Sequence, residues 1–177
     1  MPEKATIQRA KEDLREGKAP STAAGEFVRE EVEHVRHGKH GVRSPQQAIA
    51  IGLSKARRAG IPLPPPKPGR TSESTRRKAE RDYERGTGRK ATPKKSARRS
   101  RAREEALKRE PRSTASHAAM SKQAKKAANK RGSASRKAAA KKAVRTKGKA
   151  ELRSAAKKAA RTRQRRSGSK SGSGRKK

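Results

Sequence analysis

Three histidines, His34, His37 and His40, recur at steps of three, and Glu31 precedes them by the same step. On a helix such steps can share one face, and imidazoles beside a carboxylate are a donor set suited to zinc. Two features count against that chemistry. Gly38 is placed to end a helix between the second and third histidine, and Arg36, Lys39 and Arg43 crowd the segment with positive charge. The chain has no cysteine, so thiolate metal sites and disulfides are excluded. The histidines therefore read as solvated groups at a helix end, within reach of phosphate, and no metal or cofactor is expected. Serines are plentiful, yet none has a base and orienter beside it, no glycine-rich phosphate loop occurs, and no apolar pocket can form to dry a reaction. Catalysis is not expected.

What remains is charge. Lys and Arg number 53 against 16 Asp and Glu, a formal net charge of +37. Hydrophobic residues make up 27% of the 177 positions, and the aromatics are Phe27 and Tyr83 alone. A chain this polar cannot bury enough surface to offset the ordering entropy of its whole length. The charge is also uneven. Residues 1–60 carry a net +4, residues 61–177 a net +33, and from Pro111 onward the one acid is Glu151. No apolar run approaches the roughly 18 residues of a membrane span, and no signal peptide is evident. The expected location is the cytoplasm, at a bacterial nucleoid.

These contrasts predict an all-α chain with a small helical head, residues 1–60, and a long, largely disordered basic tail of transient helices. In the head, Thr6 is placed to cap a helix with Ile7, Ala10 and Leu14 on one face, ending near Gly17. Ser21 is placed to cap a second, with Ala24, Phe27, Val28, Val32 and Val35 at three-to-four spacing and Gly38 as its stop. A third starts at Ser44-Pro45-Gln46-Gln47, a capping serine, a proline at the first helical position and a glutamine that can reach back. Ile49, Leu53 and Ala56, widened by Ile51, form its face, and Gly60 stops it. Glu26, Glu30, Glu31 and Glu33 on the second helix can attract Lys55, Arg57 and Arg58 at the end of the third. About 60 residues with one Phe make a marginal core, so the head could fold fully only as an oligomer, or recruit a partner protein. Residues 61–70 are a proline-rich linker, read as an extended, semi-rigid spacer. Residues 71–110 offer two charged helices, Ser74 to Arg85 and Ser96 to Arg109, with almost no apolar face. Residues 111–177 are Lys/Ala/Ser-rich, closing in a flexible cationic end.

The segment HVRHGKHGVRSPQQAIAIGLSKARRAG, residues 34–60, resembles an uncharacterised family of small basic bacterial and phage proteins. Those proteins share an H-x-[F/V]-[K/R]-H-G segment followed by a basic Gln-Ala-Ile-Ala-Ile helix, and the resemblance implies no particular chemistry. The tail contains its own repeat. Ala124-Lys-Lys-Ala127, Ala140-Lys-Lys-Ala143 and Ala156-Lys-Lys-Ala159 start 16 residues apart, and Gly132 and Gly148 align between them. Like charges at four-residue spacing each cost a free helix about 0.2–0.5 kcal/mol, which predicts disorder in the unbound tail. In composition this tail resembles the Lys/Ala-rich tails of linker histones and bacterial histone-like proteins. Thr92-Pro93-Lys94-Lys95 resembles their [S/T]-P-K-K turn, which implies a preference for A·T-rich minor grooves.

The expected function is non-specific, electrostatic binding of nucleic acid, duplex DNA in particular, with a compacting or protective role. Candidate phosphate contacts are Lys94, Lys95, Arg98, Arg99, Lys125, Lys126, Lys130, Arg131, Lys141, Lys142, Arg145, Lys157, Lys158, Arg161, Arg163, Arg165 and Arg166. RNA or the ribosome is the competing partner, although the chain lacks aromatics to stack on unpaired bases. So basic a chain could also be a hydrophilic stress protein or a polycation lying on anionic membrane. The first usually mixes acids with bases, and the second needs a bulky apolar face that the tail does not have.

Overall fold

A computed structural model of the chain describes residues 2–89, 91 and 96–171. Its described secondary structure is all helical, in the order α1 (Lys4–Arg15), α2 (Pro20–Arg36), α3 (Pro45–Arg58), α4 (Glu73–Gly86), α5 (Ala97–Lys108), a 3-10 turn (Ser113–Ala115), α6 (His117–Lys130) and α7 (Gly132–Ser171). The chain divides into two compact units, Met1–Ala124 and Lys125–Lys177, with the division falling inside α6. The all-helical expectation holds, but a short head trailing a disordered tail is not what the chain forms. The first unit is twice the expected head, and helix continues to Ser171.

Helix propensity explains the tail. Between residues 117 and 171 the chain is dominated by Ala, Lys and Arg, which stand at the top of the helix scale. Repulsion among exposed cations is a few tenths of a kcal/mol per neighbour and is screened by water and salt. It does not outweigh the backbone ladder within each helical stretch.

The first unit is organised about α2, which packs on both α1 and α3. One cluster joins Ala10 of α1, Ala23, Ala24 and Phe27 of α2, and Ala56 of α3 to Ile61. A second joins Val32 and Val35 of α2 to Val42, Ala48 of α3 and Ala115. The faces expected for α1 and α2 are those buried. The face of α3 is met in part: Ala56 is buried and Leu53 and Ile51 pack against the two clusters, but Ala48 and Gly52 are buried too, while Ile49 is only half-buried. Small residues belong there because the helices nearly touch. A Cβ added at Gly52 would lie 2.6 Å from the Val28 Cα.

Caps agree in part. Ser44 accepts the Gln47 N–H at 3.2 Å, and Gln47 Oε1 reaches back to the Arg43 N–H at 2.8 Å. Ser96 caps α5, accepting the Arg99 N–H. Thr6 and Ser21 do not cap, because both helices begin earlier. Glu3 precedes α1, its N–H held by Glu30 Oε2 at 3.1 Å, and Pro20 takes the first turn of α2.

The proline-rich segment does not stand clear as a spacer. Ile61 is buried, Leu63 packs beside it, and Arg57 donates to the Leu63 and Pro64 carbonyls at 3.2 and 3.5 Å. Burial lowers the Arg57 pKa. The chain then returns as α4, which packs on α3 through buried Ala79 and through Asp82, the acceptor for Ser54 and an ion-pair partner of Arg58. At the start of α4, hydrogen bonds from Arg76 and Arg77 hold Glu73 down to about 2. Its contribution is complete above the ordinary 4.5 and is lost as pH falls through about 2. Residues 107–115 complete the unit around the 40–43 loop: Gly41 and Val42 donate to Leu107 and Pro111, and Thr114 donates to Val42.

Two glycines of opposite consequence test this packing. Gly52→Ala should cost about 1–3 kcal/mol by forcing α2 and α3 apart. Gly25→Ala has open space around its new methyl group and should add about 0.5–1 kcal/mol of helix stability. Urea unfolding followed by circular dichroism reads both; equal effects would contradict the crossing described.

Candidate nucleic-acid interface

The second unit takes its form from a repeat and its glycines. Gly132 has φ +73° and Gly148 φ +74°, a conformation that L side chains rarely adopt. Gly148 therefore interrupts α7, dividing it into arms 132–147 and 149–171. One Ala-Lys-Lys-Ala block falls in α6 and one in each arm, so the 16-residue spacing is also the spacing of the helix breaks. At 1.5 Å per residue the arms are about 24 and 35 Å long.

α7 has no apolar side, and its basic residues are spread around the whole circumference. Residues 125–177 hold 22 Lys and Arg and the single acid Glu151. Lys147 lies 4.0 Å from Glu151, and Arg136 donates to the Gly132 carbonyl at 3.3 Å. One carboxylate cannot neutralise so many cations. A helix polar all round, with no partner helix among its described contacts, is a rod coated in charge.

The expected phosphate contacts divide between the two units. Lys125, Lys126 and Lys130 are exposed on α6, and Arg131 is exposed just after it. Lys141, Lys142 and Arg145 are exposed on the first arm of α7, and Lys157, Lys158, Arg161 and Arg163 on the second. Arg165 and Arg166 fall within the span of α7. Arg98 and Arg99 are exposed at the start of α5, in the first unit. Thr92-Pro93-Lys94-Lys95, with its two lysines, lies outside the described residues. The cations of 125–166 thus share one unit, whereas Arg98 and Arg99 belong to the other.

Sequence reasoning missed two features of the first unit. One is an open groove between α3 and α4, with Ile49 and Leu53 at its floor and Arg58, Lys78, Arg81 and Arg103 around it. A single amphipathic register for α3 hides it, because Ile49 and Leu53 were assigned to the core. The other is a charged cluster on α2. Glu31 is fully buried and Glu30 nearly so. Lys55 Nζ lies 2.6 Å from Glu31 Oε2 and 3.6 Å from Glu30 Oε1, which realises the expected attraction between α2 and α3. His40, expected to be solvated beyond the helix end, returns to lie 3.2 Å from Glu31 Oε1, while His37 stays outside the cluster. The cause is the turn after α2, where the Lys39 N–H bonds back to the His34 carbonyl at 2.9 Å and Gly38 takes φ +80°.

No described helix is long and apolar enough to cross a membrane. A family model described as a family of unknown function (DUF6496) matches residues 17–67, which cover α2, α3 and the start of the proline-rich segment. The 34–60 segment that resembles an uncharacterised family lies wholly inside that match. No curated protein and no solved structure matches the chain.

Gly148→Ala tests the break in α7. Its methyl group meets nothing within 4 Å, so the strain is purely conformational, and the arms should merge into one continuous helix. Mean residue ellipticity at 222 nm should become more negative; no change would mean that the interruption does not depend on glycine.

Proposed function

We propose that the chain binds nucleic acid, duplex DNA foremost, through phosphates and without reading sequence, as a histone-like, nucleoid-associated protein. The observation that carries this reading is the second unit, a pair of charge-coated helical arms and the end of α6 with 19 cations against one acid over residues 125–171. An α-helix with its side chains is about 10–12 Å across, and the B-form major groove is about 12 Å wide. A rod bearing cations on all sides can lie there with phosphates on both flanks. The A-form major groove of duplex RNA is too narrow for it. Single strands are a poorer match, because Phe27 is buried and no row of aromatics offers a stacking surface.

The likeness to linker-histone tails is one of composition and supports the same chemistry. Lysine, a point charge on a flexible stem, suits diffuse neutralisation more than bidentate base recognition. Phosphate contacts position a protein and carry no sequence information. Separate helical segments can also engage two duplexes, which supports compaction.

Fluorescence anisotropy of the intact chain on duplex DNA across a salt series tests the proposal. With about ten simultaneous phosphate contacts, log K against log salt should fall with a slope near −9. The variant Lys141→Gln/Lys142→Gln/Lys157→Gln/Lys158→Gln should reduce that slope by roughly 3 to 4 on every sequence alike. An unchanged slope would remove the second unit from the interface. A strong preference for structured RNA at matched salt would overturn the duplex-DNA reading.

A further inference from the structure

We propose that Glu31, His34 and His40 form a binding site for a borderline divalent cation, of which zinc(II) is representative. One ligand atom from each of the three lies within 4.8 Å of the other two. Two imidazole nitrogens and one carboxylate oxygen, with the remaining positions left to water, are a donor set that zinc and its neighbours favour.

The hydrogen-bond geometry points to co-ligation over simple ion pairing. His40 Nδ1 lies 3.0 Å from the Gly41 carbonyl oxygen, so this nitrogen carries the proton and donates it there. A histidine tied to a backbone carbonyl in this way presents its other nitrogen to a metal. That nitrogen, Nε2, is 3.2 Å from Glu31 Oε1. Despite the short distance Glu31 Oε1 accepts no hydrogen bond. In neutral His40 the two atoms are both lone-pair donors, converging on a point beside them. Ligand atoms around a tetrahedral ion with bonds near 2.0–2.1 Å are separated by about 3.3 Å, which matches.

The surroundings favour a cation at that point. Lys55 Nζ stands 2.6 Å from Glu31 Oε2 as an ion pair, and neither oxygen of this carboxylate accepts a hydrogen bond. Glu3 Oε1, 3.1 Å from His34 Nε2, steadies the second ring, and Lys39 lies 3.1 Å from the same oxygen. Glu3, Glu30 and Glu31 against Lys39 and Lys55 leave the cluster one negative charge in excess, most of it away from water. The side chains of His34 and His40 keep 13% and 16% of their exposure, so an ion has a path in from solvent. His37, between the two in sequence, is not part of the cluster.

The test uses the intact chain after treatment with a chelator. Titration calorimetry with zinc chloride should give one site per chain, and cobalt(II) should give visible d–d absorption of a nitrogen- and oxygen-ligated ion. His40→Ala should weaken zinc binding by more than about a hundredfold, beyond the 10–100-fold of an outer-shell change. His37→Ala should bind as the parent does. Circular dichroism confirms that the variants fold. Should His40→Ala fail to fold, the parent's cobalt spectrum and a zinc-dependent rise in Tm that His37→Ala retains decide the matter. No heat and no d–d band at stoichiometric metal would overturn the proposal. So would equal losses in His37→Ala and His40→Ala.

Discussion

Two adjacent carboxylates on α2, buried where water cannot solvate them, govern the arrangement of the first unit. Glu30 and Glu31 lie on the same helix as Phe27 and Val35 and are enclosed almost as fully. A buried charge is tolerated only with compensation. Lys55 reaches Glu31 and Glu30 from α3, and the Glu3 N–H at the start of α1 donates to Glu30. His40 returns from the loop after α2 to lie beside Glu31. The register of α3, the entry of α1 and the return of the loop therefore meet at one site. Apolar packing alone would specify them loosely, because the core is largely alanine and valine, whose small side chains interdigitate little.

The second unit obeys the opposite rule. It buries nothing large, its longest helix has no apolar side, and its form follows from backbone propensity interrupted by glycine. One chain thus contains a unit specified by tertiary contacts and a unit specified locally. The composition that makes the second unit a poor core also makes it a good helix. Alanine satisfies the helix without offering anything to pack, and lysine adds charge at nearly the same propensity.

This division accounts for what could be read in advance. Periodicity exposed the faces of α1 and α2, and Ser44-Pro45 announced the start of α3, because these are local signals. On α3 the expected Leu53, Ile51 and Ala56 do meet the core, but Ile49 was favoured over Ala48 and Gly52, which are buried. Periodicity favours the bulkiest stripe, whereas the crossing at Gly52 admits only the smallest. Ile61, Val42 and Ala115 joined the core unannounced, since nothing local marks a loop residue for burial against distant parts of the chain. His40 was misplaced for a related reason: a stop signal at Gly38 tells where a helix ends, not that the chain folds back upon it. In the tail, counting charges overstated repulsion and understated alanine. The exposed cations of α6 and α7 follow from composition, whereas Lys55 and Arg57 are drawn into the first unit by tertiary contacts that composition does not announce.

The uniform circumference of α7 also bears on motion. A helix that carries the same charge in every direction has no rotational register to lose, so rolling about its own axis leaves its electrostatic energy nearly unchanged. An amphipathic helix bound on one face must let go before it turns. In the proposed complex, a rod of this kind would exchange one set of neighbouring phosphates for the next while staying associated, so that its hold would be laterally fluid.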